Sequence, residues 1–86
     1  MMRVLNIKRI DDEANARRGV EANDLRHWLV VVLAEDWTSA QEVKSTFPLA
    51  RQVSIVGWEF PLVPSGVTVV ASIDFPLAIV MVEDVV

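Results

Sequence analysis

Polar and apolar residues alternate over the first ten positions of the chain. The apolar residues Leu5 and Ile7 flank the polar residue Asn6. A period of two is that of a strand with one buried and one solvated face. The pattern predicts a strand over residues 2–10, and the polar stretch 11–19 that follows predicts a loop or a short solvated helix.

The second half of the chain carries very little charge. Residues 53–82 contain only two charged side chains, Glu59 and Asp74. A strand that is covered on both faces has this kind of continuous apolar sequence. Three strands are predicted here, over 51–60, 67–74 and 77–83. Pro64-Ser65-Gly66 suits a type I turn, so the first two of these strands are predicted to form a hairpin.

The segment 25–35 carries two conflicting patterns. Five of its apolar residues have the spacing of one helix face: Leu25, Trp28, Leu29, Val32 and Leu33. Against a helix, residues 30–32 are three consecutive valines, and β-branched side chains lose rotamer freedom in a helix. We favour a strand over 27–35, and the helix stays open as the alternative.

A helix is predicted over 39–47. Ser39 and Glu42 form a capping-box pattern, in which each side chain bonds a free amide of the first helical turn, and Pro48 ends the helix. The predicted fold class is therefore α+β. It combines a mainly antiparallel sheet of four or five strands with this one helix, and residues 11–19 are the place for a second short one. Residues 1–86 are expected to form a single domain.

The chain contains more apolar residues than its length explains. Of its 86 residues 52% are hydrophobic, and sixteen are valine. A chain of this size buries about 60% of the surface that its unfolded state exposes. It has no cysteine, so neither a disulfide nor a thiolate metal site adds stability. We therefore expect a homo-oligomer, a dimer or larger.

Charge and hydropathy argue against two classes of partner. The net charge is −4, and the two adjacent basic pairs, Lys8-Arg9 and Arg17-Arg18, stand on either side of the acids at 11–13. Nucleic-acid binding needs clustered Lys and Arg. The longest apolar run, residues 28–34, is far shorter than the roughly 20 residues of a membrane span. With no signal-peptide pattern at the N-terminus, we expect a cytoplasmic protein that binds neither nucleic acid nor membrane.

Groups that could support catalysis or hold a metal are sparse. His27 is the only histidine, and a transition-metal site usually has two or more imidazole or thiolate ligands. We predict no metal and no cofactor. His27 is a weak candidate for a general base, if Asp24, Glu35 or Asp36 orients its ring. A half-buried structural histidine is the competing interpretation.

All three phenylalanines stand in the same tripeptide. The copies are Phe47-Pro48-Leu49, Phe60-Pro61-Leu62 and Phe75-Pro76-Leu77. Proline is tolerated at the start or edge of a strand, so these tripeptides are predicted to be strand corners. A recognition motif is the alternative.

An apolar sheet face is the main candidate site. Alternation places Val56, Trp58 and Phe60 on one face, which Val70 and Val80 are expected to continue. Such a face meets another subunit, packs under a helix or lines a ligand pocket. We favour the subunit interface, because the predicted helix is too small to cover so much sheet. The candidate ligand or interface residues are Val56, Trp58, Phe60, Leu62, Val70 and Val80.

Two function classes remain open. The first is a small homo-oligomeric binding module, whose apolar sheet face or Phe-Pro-Leu loops engage a protein or a small apolar ligand. The second is a small hydrolase or isomerase with His27 and a carboxylate at a subunit boundary. The scarcity of convergent polar residues favours the first, which is not an enzyme.

Overall fold

The computed structural model describes all 86 residues and has an α+β fold. Its elements are β1 (Arg3–Leu5), α1 (Ile7–Ala16), α2 (Val20–Ala34), α3 (Ala40–Thr46), β2 (Arg51–Gln52), β3 (Gly57–Pro61), β4 (Thr68–Asp74) and β5 (Ile79–Val85). The predicted class is confirmed, with three helices in place of one or two. None of the three is long and apolar enough to cross a bilayer.

The five strands form one mixed sheet in the order β1-β5-β4-β3-β2. β1 runs parallel to β5, and every other pair is antiparallel. The predicted hairpin is present as β3 and β4. In its register Trp58 lies opposite Ala71 and Phe60 lies opposite Val69. A bulge next to Val70 shifts the pairing of β4 with β5.

One face of the sheet is covered by the helices. The strand residues buried on that face include Trp58, Phe60, Val69, Ala71, Ile73, Val80 and Val82. They form one core cluster with the inner residues of the helices, which include Ile10, Ala14, Leu25, Trp28, Val32 and Val43. The opposite sheet face has no helix on it, and Val70 and Ile79 are only half-buried there.

The register corrects the predicted sheet face. Val70 lies opposite Glu59, so it points away from the side that carries Trp58, Phe60 and Val80. Grouping Val70 with these residues was wrong by one position. Side chains alternate along a strand, and a one-residue error in register moves every one of them to the other face.

The strand predicted over 2–10 ends at Leu5. Asn6 adopts a left-handed conformation with φ 64°, and its side-chain amide donates to the Val82 carbonyl at 3.0 Å. The chain then turns into α1. Ile7, Ile10 and Ala14 have helical spacing, and Ile10 and Ala14 are buried. This longer-range period overrides the local alternation.

The strand favoured over 27–35 is also wrong, because this segment belongs to α2. Leu25, Trp28 and Val32 are fully buried on its inner face. A β-branched residue costs a helix at most about 0.7 kcal/mol relative to alanine. Burying a large apolar side chain contributes about 1.5–3 kcal/mol, so three buried side chains outweigh three unfavourable propensities.

The predictions for the middle of the chain hold more closely. Ser39 Oγ accepts from the Glu42 N–H at 3.4 Å, and the Glu42 carboxylate accepts from the Thr38 N–H at 3.1 Å, which confirms the capped helix over 39–47. The strand over 51–60 is interrupted at 53–56, where the Gly57 N–H donates to Ser54 Oγ at 2.8 Å.

The β3–β4 loop is wider than a type I turn over 64–66. The Gly66 N–H donates to the Leu62 carbonyl at 2.7 Å, and the Leu62 N–H donates to the Val67 carbonyl at 2.7 Å. Gly66 has φ 83°, a conformation that favours glycine. The loop therefore closes as a five-residue turn over 62–66.

Candidate functional site

A cleft of about 250 Å³ lies between α2, the α3–β2 connection and the β3–β4 loop. It is open to solvent on one side. Its lining residues are Asp24, His27, Trp28, Thr46, Phe47, Pro48, Leu49, Pro61, Leu62 and Val63. Three separate segments of the chain thus meet at a mainly apolar site.

Two of the three Phe-Pro-Leu tripeptides contribute to this cleft. All of 47–49 and the last two residues of 60–62 line it. The third tripeptide, 75–77, follows β4 and therefore lies at the opposite end of the sheet. The difference follows from topology, because β3 ends where β4 begins.

Aromatic packing supports the walls of the cleft. The Trp37 indole N–H donates to Thr46 Oγ1 at 3.0 Å. Phe47 packs edge-on against Trp37, with ring centroids 6.1 Å apart, and against Phe60 at 5.5 Å. Trp28 meets Phe60 edge-on at 5.5 Å. Trp28, Trp37 and Phe60 are buried, so the apolar lining rests on a close-packed base.

Two polar side chains from α2, Asp24 and His27, stand at the edge of the cleft one helical turn apart. The Asp24 carboxylate accepts from the backbone N–H of Ser65 through Oδ2 at 2.9 Å, which ties the β3–β4 loop to the helix. Asp24 is the only carboxylate in the lining, His27 is its only imidazole, and no Lys or Arg lines it. His27 is exposed and makes no hydrogen bond within the chain.

The lack of a hydrogen bond at His27 bears on the candidate chemistry. A general base needs a partner that orients its ring, and none of the three carboxylates considered from the sequence bonds His27 within one chain. Nor do three or more His, Cys, Asp or Glu side chains come together in a metal-binding arrangement.

The six candidate residues from the sequence do not converge. Trp58, Phe60 and Val80 are fully buried beneath the helices, and Leu62 lines the cleft with 6% of its surface exposed. The other two lie elsewhere: Val56 is exposed at the far end of the sheet, and Val70 lies on the uncovered sheet face.

Several lining residues were missed as members of one site, among them Thr46, Leu49 and Val63. The recurrence of Phe-Pro-Leu was the available signal, since it marks two of the three contributing segments. Which two copies meet depends on the path of the strands, and α2 could not join them while it was interpreted as a strand.

Comparison of the chain with models of known protein families gives no match, and no curated protein matches its sequence.

Proposed function

We propose that the protein is an interaction module that holds an apolar protein segment in the cleft between α2 and the two Phe-Pro-Leu loops. One observation carries the proposal. Leu49 and Val63 both line the cleft, yet 54% and 67% of their surfaces are exposed. Two large apolar side chains at the rim of an apolar cleft form a surface suited to an apolar partner.

The size of the cleft supports a protein segment over a free small ligand. Pockets for drug-sized molecules usually enclose about 300–1,000 Å³, and this cleft is smaller and open on one side. It suits a few side chains that project from a larger partner. Pro48 and Pro61 in the walls restrict backbone motion, which lowers the entropy lost on docking.

The alternative function, hydrolysis or isomerisation by His27 with a carboxylate, has weaker support. Asp24 and His27 line the same cleft, but they make no hydrogen bond to each other. The remaining lining is apolar apart from Thr46. Binding needs no further polar group, whereas catalysis does.

Binding of the neutral apolar dye Nile red tests the proposal. We expect the dye to shift the backbone amide NMR signals of residues 46–49 and 61–63. Leu49→Ser should weaken the affinity about tenfold, because the lost apolar contact is worth about 1.4 kcal/mol. Fluorescence titration measures this change.

The third Phe-Pro-Leu tripeptide supplies a matched control. Leu77 is 66% exposed and Leu49 is 54% exposed, but Leu77 lies at the other end of the sheet. Leu77→Ser should leave dye affinity unchanged. Equal losses in the two variants, or shifts confined to other residues, would contradict the proposed function.

A further inference from the structure

A row of four residues runs along the outer side of α2, next to the cleft. Val20, Asp24, His27 and Val31 follow one another at intervals of four, three and four residues. Alternating three- and four-residue steps place side chains in one line along a helix, as in a coiled-coil seam. Val20 and His27 are exposed, and Asp24 and Val31 are half-buried. We call these four residues the α2 row.

The α2 row is symmetric about a point between residues 25 and 26. If a second α2 lies antiparallel along the first, Val20 meets Val31 of the partner subunit, and Asp24 meets His27 of the partner subunit. The same contacts then repeat on the other side of a twofold axis, which is the requirement for an isologous dimer.

We propose that the α2 row is the centre of a twofold-symmetric dimer interface, with α2 of a second copy as the partner. The inference rests on the proposed function, since the α2 row borders the cleft and the second copy is the apolar segment that docks there. Asp24 and His27 belong both to the cleft lining and to the α2 row.

Polar complementarity favours the second copy. A carboxylate accepts hydrogen bonds and an imidazole N–H donates one, so the antiparallel contact pairs a donor with an acceptor twice. Within one chain His27 lacks any hydrogen bond, and the Ser65 N–H occupies only one of the two Asp24 oxygens. A parallel arrangement would instead place Asp24 against its own copy.

Apolar surface on the same side of α2 points to the same partner. Val30 lies beside the α2 row and is 65% exposed, and Val20 is 53% exposed. Exposed valines beside Asp24 and His27 give this side of α2 the mixture of apolar and polar groups that protein interfaces have. Outward valines add nothing to the core of the single chain and slightly lower helix propensity.

A dimer interface of ordinary size would have to include the rim of the cleft as well as the α2 row. A standard interface buries about 800 Å² on each partner, which is about one sixth of the 4968 Å² surface of this chain. Four residues in a row do not supply that area. The exposed rim residues Leu49 and Val63 line the same cleft as Asp24 and extend the α2 row to a larger apolar surface.

Disulfide trapping tests the arrangement, since the chain has no cysteine of its own. Val20→Cys and Val31→Cys are made as separate proteins. An antiparallel pair brings residue 20 of one copy near residue 31 of the other, within the roughly 7 Å between Cα atoms that a disulfide spans. Mild oxidation of the mixture should give cross-linked dimers, whereas neither protein alone should cross-link. Efficient cross-linking of Val20→Cys with itself, or none in the mixture, would overturn the proposal.

Two substitutions at His27 give a second test with opposite outcomes. His27→Asp places two carboxylates at each contact and should halve the mass measured by light scattering at micromolar concentration. His27→Lys places an ammonium beside Asp24 of the partner subunit and should keep the dimer. The same mass for both variants would overturn the proposal, and circular dichroism checks that both fold.

Dye binding separates this inference from the proposed function. Val20→Asp changes a residue of the α2 row that does not line the cleft, and it should give a monomer. This monomer should bind Nile red at least as tightly as the wild-type protein does, because no second copy competes. If the wild-type protein is monomeric at every concentration but binds the dye, the dimer proposal is wrong and the proposed function is unaffected. If the protein is monomeric and binds no dye, both the dimer proposal and the proposed function are wrong.

Discussion

Helices α1 and α2 bury their inner sides in the same core but differ on their outer sides. The outer side of α1 carries ion pairs, with Lys8 Nζ 2.7 Å from Asp12 and Arg9 Nε 3.4 Å from Glu13. On α2 the corresponding side carries the exposed valines Val20 and Val30 among exposed polar residues. The outer side of α1 is suited to water, whereas that of α2 is mixed and leaves large apolar side chains exposed. Two neighbouring helices can thus contribute alike to folding and very differently to association.

The largest effect is expected from a comparison of the inner and outer sides of α2. Val32 is fully buried, and Val30 is 65% exposed. Val32→Asp should lower the free energy of unfolding by about 3 kcal/mol or more, because it buries an unpaired charge. In the separated monomer Val30→Asp should change it by less than about 0.5 kcal/mol, as surface substitutions usually do. Urea denaturation of both variants measures the difference, and similar losses would show that α2 has no distinct outer side in the folded chain.

A smaller effect is expected where α1 and α2 are joined by charge. Arg17 Nη2 lies 3.1 Å from Glu13 of α1, and its Nη1 lies 2.9 Å from Glu21 of α2. These contacts raise the pKa of Arg17, with the hydrogen bond to Glu21 as the first cause and that to Glu13 as the second. Arg17→Ala should cost about 0.5 kcal/mol, in the range of exposed ion pairs.

The neighbouring arginine serves as the control for Arg17. Arg18 is exposed and makes no ion pair, so Arg18→Ala should be close to neutral. The loss in Arg17→Ala should shrink in 1 M NaCl, where the Debye length is about 3 Å. A loss that is independent of salt would assign the effect to packing of the arginine stem.

The smallest effect is expected at the first turn of α3, where side chains cap the helix. Hydrogen bonds from the Thr38 hydroxyl and then from the Thr38 N–H lower the pKa of Glu42 below its usual 4.5. The lowered pKa means that the stabilisation is complete above pH 4.5 and is lost as pH falls through the folded-state pKa. Glu42→Gln should therefore destabilise the protein at pH 6 more than at pH 3. An equal effect at the two pH values would assign no role to the carboxylate charge.

The elements that the sequence predicts well are those with local signals. Ser39 and Glu42 mark the start of α3, and the apolar runs over 67–74 and 77–83 correspond to β4 and β5 within two residues. A capping box and a short apolar run between turn residues are both recognised within one segment. No knowledge of the rest of the chain is needed for them.

The sequence predicts poorly those elements whose structure depends on contacts with distant segments of the chain. The valines at 30–32 favour a strand locally, and only the core beneath Leu25 and Trp28 decides for a helix. The cleft is still harder to predict from the sequence, because it forms only when β3 lies beside β4 and α2 lies above both. The association that the composition predicts stays a prediction, and the exposed valines of α2 are part of the apolar surface of the single chain.

The pairing of β1 with β5 sets an order of events during synthesis. Asn6 bonds the carbonyl of Val82, 76 positions later in the chain, and β1 has β5 as its only strand neighbour. While a ribosome makes the protein, α1 and α2 emerge together and can pack locally, but β1 has no partner until residues 79–81 are made. Contacts between distant segments form slowly because a long loop must close first. The first strand translated is thus among the last to join the sheet, and removing β5 would release the N-terminal strand as well.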